Sequence, residues 1–189
     1  EMISDLIEGE WIQDSLIEDW DVSLTQLDRV HDLKTASLFK WCIRAPFIAA
    51  ENYNDKIHHE LDEMGGLLGL LFQRSDDLLD FDIRNQEGKA VLGDLKSGYM
   101  NSFATFLTRD MNEQKKAKFR VCETMKDVYA VIGEAEFFAR LDDFDTHNKK
   151  VIALYDHHCN ELKTHLKPNE QGLVDDLRQL PSILYWRKV

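Results

Sequence analysis

The sequence predicts an all-α protein, and three observations lead to that prediction. No stretch shows a clear run of alternating β-branched residues, which is the usual pattern of a half-buried strand. Apolar residues instead recur at helical spacing in several parts of the chain. Only three prolines interrupt the 189 residues, so long helices are possible. We therefore expect residues 1–189 to form a single domain around one core.

The first helices are indicated by an apolar stripe and by capping residues. The stripe marks a first helix and consists of Ile3, Leu6, Ile7 and Trp11. Ser23 followed by Gln26 is typical of a capping box and opens a second helix, which is expected to carry Lys34. Asn54 can cap the long helix that follows, and this helix ends with a group of aspartates.

The second half of the chain continues the helical pattern. Turn-forming and charged residues predict a loop from Asp82 to Gly93. Beyond that loop, Gly133 and Pro168 are expected to separate helices. These helices are predicted near residues 97–109, 112–132, 135–141, 146–166 and 169–179.

Charge and composition limit the partners of the protein. The chain has 35 acidic and 23 basic residues and a net charge of −12, which disfavours nucleic acid and anionic membranes as general partners. No apolar run approaches the roughly 18 to 20 residues of a transmembrane helix. Three distant cysteines form no CxxC pair, and the first residues lack the pattern of a signal peptide. We expect a cytoplasmic protein.

The most informative segment is GGLLGLLFQRSDDLLD, residues 65–80. It sets Asp76, Asp77 and Asp80 into an otherwise apolar helix, and Gln73 shares their face. Burial of several like charges destabilises a fold unless a cation neutralises them. Carboxylate oxygens suit Mg²⁺, which takes its remaining ligands from water and substrate phosphate. Asp-Asp-x-x-Asp also occurs on solvated helix faces, but the apolar context favours a Mg²⁺-diphosphate site.

The same segment resembles the second aspartate-rich motif of the trans-isoprenyl diphosphate synthases. Four further motifs resemble landmarks of that family and occur in its order. They are Glu8-Gly9-Glu10 with Gln13, then Lys34-Thr35-Ala36, then Gly88-Lys89 with Gly93-Asp94-Leu95-Lys96, and last Leu177 to Arg187-Lys188. The resemblance covers residues 1–103 well and the rest of the chain loosely.

The resemblance implies an isoprenoid-synthase-type helical bundle around a deep apolar pocket, here lacking the N-terminal helices. In the family, two aspartate-rich motifs hold Mg²⁺ on the diphosphate of an allylic prenyl diphosphate. Loss of that diphosphate leaves an allylic cation, to which isopentenyl diphosphate adds five carbons. The first motif and its arginine pair would lie upstream of Lys34, and the sequence does not contain them.

Roles for single residues follow from the same resemblance. Metal ligands would be Asp76, Asp77 and Asp80. Catalytic residues around the diphosphate or the cation would be Lys34, Thr35 and Gln73. The substrate diphosphate would be bound by Lys34, Lys89 and Arg187, and the tail that includes Lys188 could close over the pocket.

Two departures from the family pattern occur in one short segment. Tyr99 stands where relatives have a lysine or another phosphate-binding residue, and Phe103 occupies the usual place of a proline. A lost positive charge at Tyr99 would weaken diphosphate binding. This leaves open a site that is specialised or partly degenerate.

The sequence therefore supports three hypotheses. The first is a Mg²⁺-dependent prenyltransferase that works when an N-terminal half or partner chain supplies the first aspartate-rich motif. The second is a non-catalytic or regulatory subunit of a heteromeric prenyl diphosphate synthase. The third, class I terpene cyclisation, is weaker because the Lys-Thr and Gly-Lys motifs point to chain elongation. An exposed apolar surface is expected where further helices would pack, and it predicts an oligomer or a tight partner.

Overall fold

The computed structural model of the protein describes residues 2–82 and 91–185, and every regular element in these two stretches is helical. The all-α prediction is thereby confirmed. The elements are α1 Met2–Ser15, α2 Leu24–His31, a π-helical turn Asp32–Ala36, α3 Ser37–Ala49, α4 Asp55–Leu79, α5 Gly93–Lys96, α6 Ser102–Thr108, α7 Glu113–Phe119, α8 Met125–Ile132, α9 Glu134–His165, α10 Gly172–Leu177 and α11 Leu180–Tyr185. No helix in the described residues is long and apolar enough to cross a membrane.

Both predicted N-terminal caps are confirmed. The Ser23 N–H donates to Gln26 Oε1 at 2.9 Å, and the Gln26 N–H donates to Ser23 Oγ at 3.3 Å, which completes the capping box of α2. Asn54 Oδ1 accepts from the Lys56 N–H at 3.0 Å and caps α4. These caps satisfy backbone donors that have no partner inside a helix, so short sequence patterns were sufficient to place them.

Several predicted helix boundaries in the second half are wrong. The predicted helix 112–132 is two helices, because Thr124 forms a capping box with Asp127 and begins α8. The predicted helices 135–141 and 146–166 are one helix, α9. Between the two predicted helices, Phe144 is fully buried and packs against Phe103 with ring centroids 5.3 Å apart. Burial of that ring explains why the acidic residues beside it do not interrupt the helix.

Helix α4 is the centre of the fold. It packs against α3, the π-helical turn, α9 and α11. A Cβ atom on Gly69 would lie 2.3 Å from Ala36 Cα, and one on Gly65 would lie 2.6 Å from Lys40 Cα. Glycine at these two positions therefore lets α4 lie directly against the π-helical turn and the start of α3. This close approach sets the distance between the predicted Lys-Thr motif and the aspartates.

Candidate active site

The predicted Lys-Thr motif lies on the π-helical turn that follows α2. Single π turns are frequent at functional sites, because they shift the side chains that follow them around the helix. Gly9 of α1 packs against this turn, and a Cβ atom at Gly9 would lie 2.7 Å from the Lys34 backbone nitrogen. Lys34 Nζ donates to Gln13 Oε1 at 3.0 Å and pairs with Glu10 Oε1 at 3.1 Å. The fold thus brings the Gly-Glu motif of α1 to Lys34, and Glu10 and Gln13 join the site without having been predicted as site residues.

Thr35 and Gln73, both predicted catalytic residues, are in direct contact. Thr35 Oγ1 donates to Gln73 Oε1 at 3.2 Å, and Gln73 Nε2 donates to Asp77 Oδ1 at 3.2 Å. The Ser102 N–H donates to the other carboxylate oxygen of Asp77 at 2.8 Å, and the Ser102 hydroxyl donates to the same oxygen. A continuous hydrogen-bonded chain therefore joins the π-helical turn, α4 and the start of α6.

Asp77 is the most deeply buried of the three predicted metal ligands, with 2% of its surface exposed. Burial raises the pKa of Asp77, while the hydrogen bonds from Ser102 and Gln73 favour its charged form and oppose that shift. Asn101 Nδ2 also donates to the Asp77 carbonyl oxygen at 3.3 Å. Neutral donors thus hold the Asp77 side chain between α4 and α6.

Asp80 lies at the end of α4 and is 8% exposed. Its Oδ1 atom accepts from the Gly93 N–H at 2.6 Å, whereas its buried Oδ2 atom has no hydrogen-bond partner in the described part of the chain. Burial, followed by the negative charge of Asp94, raises the pKa of Asp80 to about 6. The environment of Asp80 therefore disfavours an isolated carboxylate and would be relieved by a cation.

Asp76 is half-buried and completes a group that we call the acidic cluster: Asp76, Asp77, Asp80 and Asp94. Within residues 2–82 and 91–185, no three metal-ligating side chains converge on one point. The convergence expected from the sequence is thus not seen in those residues. Mg²⁺ commonly uses only one or two protein carboxylates with phosphate and water. The open oxygen of Asp80 is a donor that fits this requirement, whereas both carboxylate oxygens of Asp77 accept hydrogen bonds from Gln73 and Ser102.

Two neutral side chains lie close to the acidic cluster. Burial lowers the pKa of His31 to about 4, and its Nε2 atom lies 4.0 Å from Asp77 Oδ2. The imidazole is therefore uncharged at neutral pH, and this contact is not an ion pair. Burial, with the nearby charges of Asp77 and Asp94, raises the pKa of Tyr99. Tyr99 consequently brings no charge to the position where the family pattern has a cation.

Arg74 is a buried residue that the sequence analysis missed. It is 2% exposed, and its Nη2 atom donates to both carboxylate oxygens of Asp28 at 2.9 and 3.0 Å. Its Nη1 atom donates to Asn148 Oδ1 at 2.8 Å, and Asn148 Nδ2 donates to the Tyr185 hydroxyl at 2.9 Å. The Ser75 hydroxyl donates to the Tyr185 carbonyl at 3.0 Å. We call this set the arginine network, and it joins α2, α4, α9 and α11.

One sequence signal could have indicated the arginine network. A charged residue inside an apolar helix requires a buried partner. That partner, Asp28, lies 46 residues upstream, and no local pattern points to it. Two other predicted residues, Lys89 and Arg187, and the tail residue Lys188 lie outside the described residues. Their role at the diphosphate stays a prediction.

Sequence comparison finds relatives of one kind. A family model described as polyprenyl synthetase matches residues 1–132. A farnesyl diphosphate synthase of Buchnera aphidicola is 26% identical over 110 residues, covering 57% of this chain and 34% of that protein. A prenyl transferase of Synechocystis is 38% identical over 108 residues, covering 56% of this chain and 33% of that protein. The chain thus matches about a third of the length of these curated relatives.

Solved structures show the same fold over nearly the whole chain. Heptaprenyl diphosphate synthase from Staphylococcus aureus is similar with a TM-score of 0.68 and 20% identity, over 96% of this chain and 57% of that chain. Decaprenyl diphosphate synthase from Rhodobacter capsulatus is similar with a TM-score of 0.69 and 17% identity, over 97% and 57%. These likenesses confirm the isoprenoid-synthase-type bundle. Since the family model covers residues 1–132 of 189, the chain belongs to the polyprenyl synthetase family.

Proposed function

We propose that this chain forms the part of a Mg²⁺-dependent prenyltransferase that carries the second aspartate-rich motif. The complete enzyme would add isopentenyl diphosphate to an allylic prenyl diphosphate, with the first motif supplied by an N-terminal segment or a partner chain. The observation that carries this proposal is Asp80. Its carboxylate is buried and has one open oxygen and a raised pKa. It belongs to the acidic cluster, in which Asp77 is hydrogen-bonded to Gln73 and Gln73 to Thr35. Family membership supplies the chemistry that such a site serves.

The described residues would act mainly on the diphosphate. Asp76 and Asp80 would hold Mg²⁺, which neutralises the leaving group. Within the described residues Lys34 uses two of its three N–H groups on Glu10 and Gln13, and the third could donate to a diphosphate oxygen. Glu10 and Gln13 also fix the direction of this flexible side chain before the substrate arrives.

Thr35 and Gln73 would act on the allylic carbon. The allylic C–O bond breaks, the bonding electrons leave with the diphosphate, and an allylic cation remains. The double bond of isopentenyl diphosphate attacks that cation, and loss of a proton restores a double bond. Gln73 Oε1 accepts one hydrogen bond from Thr35 and keeps a second lone pair. Its dipole can stabilise the cation without reacting with it.

A second function is favoured by one observation, the neutral Tyr99. Burial and the neighbouring Asp77 and Asp94 raise the pKa of this phenol, so no positive charge is present where the family pattern has one. Diphosphate binding would be weakened there. The alternative proposal is that the chain is a non-catalytic or regulatory subunit that stabilises a complete synthase.

One assay separates these two functions. Mg²⁺-dependent incorporation of isopentenyl diphosphate into an allylic diphosphate is measured on the natively purified protein, with every co-purifying chain identified. We expect Asp76→Asn to reduce turnover about a hundredfold or more, because it removes a charge from the metal site. Asp62→Asn on the same helix is the matched control and should keep its activity, since Asp62 pairs with Arg44 away from the aspartates.

Each result of that assay has a clear meaning. Turnover that Asp76→Asn leaves unchanged would contradict the metal assignment. No turnover with a complete partner that carries the first motif would overturn the enzymatic proposal and support the regulatory subunit.

A further inference from the structure

Asn101 lies between α5 and α6, and its side chain is completely buried. Its Oδ1 atom accepts from the Ala104 N–H at 2.9 Å and caps α6. Its Nδ2 atom donates to Asp94 Oδ2 at 2.9 Å and to the Asp77 carbonyl oxygen at 3.3 Å. The cap uses only the oxygen of the amide. The two hydrogen bonds from the nitrogen therefore serve another purpose, and both go to residues of the acidic cluster.

The hydrogen bond to the Asp77 carbonyl oxygen lies at the end of α4. In a continued α-helix that oxygen would accept from the Phe81 N–H. The Phe81 N–H instead donates to the Leu78 carbonyl oxygen at 3.1 Å. The last carbonyl groups of a helix need partners from outside the helix, and Asn101 provides one of them. This contact joins α6 to the helical turn that carries Asp77 and Asp80.

The hydrogen bond to Asp94 holds a second carboxylate beside Asp80. The Asp94 N–H donates to Asp80 Oδ1 at 3.4 Å, and burial followed by the negative charge of Asp94 raises the pKa of Asp80. Repulsion between the two carboxylates favours a direction of the Asp94 side chain away from Asp80. The Asn101 amide opposes that movement. Because the amide is neutral, it orients the Asp94 carboxylate without cancelling its charge, as a lysine ammonium would.

We propose that Asn101 is a positioning residue for the cation site, because it directs the Asp94 carboxylate toward Asp80 and leaves its negative charge in place. That charge strengthens the attraction of a cation at Asp80. The buried Asp80 Oδ2 atom, which has no hydrogen-bond partner in residues 2–82 and 91–185, independently indicates a cation at this point. Residues that orient carboxylates around a metal commonly have a large effect on its affinity. The inference rests on the proposed Mg²⁺ site and extends it to a neutral residue.

Asn101→Ser separates the two roles of this side chain. Serine is a good N-cap, so α6 keeps its cap, but the shorter side chain cannot cap α6 and also donate to Asp94. Binding of Mn²⁺, which like Mg²⁺ favours oxygen ligands, is measured on the full chain by electron paramagnetic resonance of the free ion. We expect Asn101→Ser to weaken Mn²⁺ binding about tenfold. The matched control is Asn112→Ser, because Asn112 caps α7 through the Lys115 N–H at 2.9 Å on the surface. It should bind Mn²⁺ as the unaltered chain does.

A second background tests whether Asn101 acts through Asp94. If it does, removal of the Asp94 charge should remove most of the effect of Asn101. We expect Asn101→Ser to weaken Mn²⁺ binding less than about twofold when Asp94→Asn is already present. A purely structural role of Asn101 predicts the same loss in both backgrounds. Urea denaturation in EDTA confirms that each variant is folded under the conditions of the binding measurement.

Asp80→Asn tests the proposed cation site separately and should weaken Mn²⁺ binding at least about tenfold. If Asp80→Asn weakens binding while Asn101→Ser binds as Asn112→Ser does, the inference is overturned and the cation site stands. An equal loss from Asn101→Ser with and without Asp94→Asn would also overturn it. If the unaltered chain binds no Mn²⁺, or if Asp80→Asn leaves binding unchanged, the cation site and the inference are both overturned.

Discussion

Arg74 and Asp77 lie less than one turn apart on α4, and both are almost completely buried, yet their surroundings are built on different principles. Arg74 is neutralised by Asp28 through two hydrogen bonds and is extended by Asn148. Asp77 is held by the neutral donors Ser102 and Gln73; burial raises its pKa, and the negative charge of Asp76 raises it further. The comparison distinguishes a buried charge that is neutralised by an opposite charge from buried carboxylates whose neighbours are neutral donors and like charges.

The two clusters should therefore respond differently to mutation. Loss of Arg74 is expected to destabilise the protein, because it leaves the buried Asn148 side chain without its partner and the half-buried Asp28 unpaired. Removal of one charge from the acidic cluster is expected to stabilise the protein, because repulsion between like charges decreases. The same change is expected to weaken binding of a cation. Enzymes tolerate such local instability where binding of a cation or substrate reverses it.

The largest expected effect comes from Arg74→Met. This change leaves the buried Asn148 and the half-buried Asp28 without their partner, and we expect the free energy of unfolding to fall by about 2 to 4 kcal/mol after allowance for solvent screening of Asp28. Urea denaturation monitored by circular dichroism measures the loss. The second substitution Asp28→Leu, added to Arg74→Met, should recover part of it, since neither charge then remains. Additive losses in the double variant would show that the two residues do not act as a pair.

Ser102→Ala should have a smaller effect that depends on pH. Asp77 loses the hydroxyl donor that favours its charged form, and we expect a loss of about 1 to 3 kcal/mol at pH 7.5. The folded-state pKa of Asp77, already raised by burial, rises further in the variant. The folded state then binds a proton more readily than the unfolded state. Stability therefore falls as pH rises from the ordinary pKa of the carboxyl, 3.8, to its raised folded-state pKa. The loss should accordingly shrink toward pH 5.

Ser97→Ala is the matched control for that measurement. Its hydroxyl donates to the Asp94 carbonyl oxygen on the surface and does not contact the Asp77 carboxylate. We expect Ser97→Ala to change the free energy of unfolding by the same small amount at every pH. A pH-independent loss in Ser102→Ala would contradict the assignment of Ser102 as the residue that supports the charged form of Asp77.

Asp80→Asn is expected to stabilise the protein in the presence of EDTA. The pKa of Asp80 is raised to about 6, so the folded state disfavours its charge at pH 7.5. The amide keeps the oxygen that accepts from Gly93 and removes the charge, which should add about 1 kcal/mol after allowance for solvent screening. The gain should disappear near pH 4, where the folded-state carboxyl is already protonated. Thermal unfolding at the two pH values measures this.

Asp143→Asn, an exposed position on α9, is the control for Asp80→Asn and should change little at either pH. An equal gain for Asp80→Asn at pH 4 and pH 7.5 would contradict the explanation by charge. A loss of stability at pH 7.5 would show that the Asp80 carboxylate is compensated after all.

Local sequence patterns predicted those features that depend on residues close together in the chain. The spacing of a few residues predicted the N-terminal caps at Ser23 and Asn54. It also predicted that Gln73 and Asp80 share one face of α4. The direction of Asp77 did not follow, because adjacent residues on a helix differ in direction by about 100° and only the packing of Ser102 decides which carboxylate turns inward. Within residues 2–82 and 91–185 the three carboxylates do not converge on one point, and their role as metal ligands stays a prediction.

Long-range contacts explain the rest of what the sequence did not show. Asn148 lies 74 residues from Arg74 along the chain, and the pairing depends on α9 being one continuous helix. Tyr185 reaches the same network from α11, the helix that the family resemblance placed near the end of the chain. A charge inside an apolar segment indicates that some partner exists, but the fold selects which one.

The smallest expected effect comes from Tyr99→Lys, which tests whether the acidic cluster attracts a positive charge at this position. Tyr99 is 9% exposed, and the negative charges of Asp77 and Asp94 contribute to its raised pKa, so a lysine ammonium at this position would lie in a favourable potential. The family pattern expected from the sequence has a lysine or another phosphate-binding residue at this position. We expect Tyr99→Lys to strengthen binding of inorganic diphosphate in Mg²⁺ about three- to tenfold, measured by calorimetry, with little change in stability. Tyr99→Phe, which brings no charge, should bind as the unaltered chain does. Unchanged binding in Tyr99→Lys would mean that the diphosphate does not reach this side of the acidic cluster, and it would favour the regulatory subunit over the enzyme.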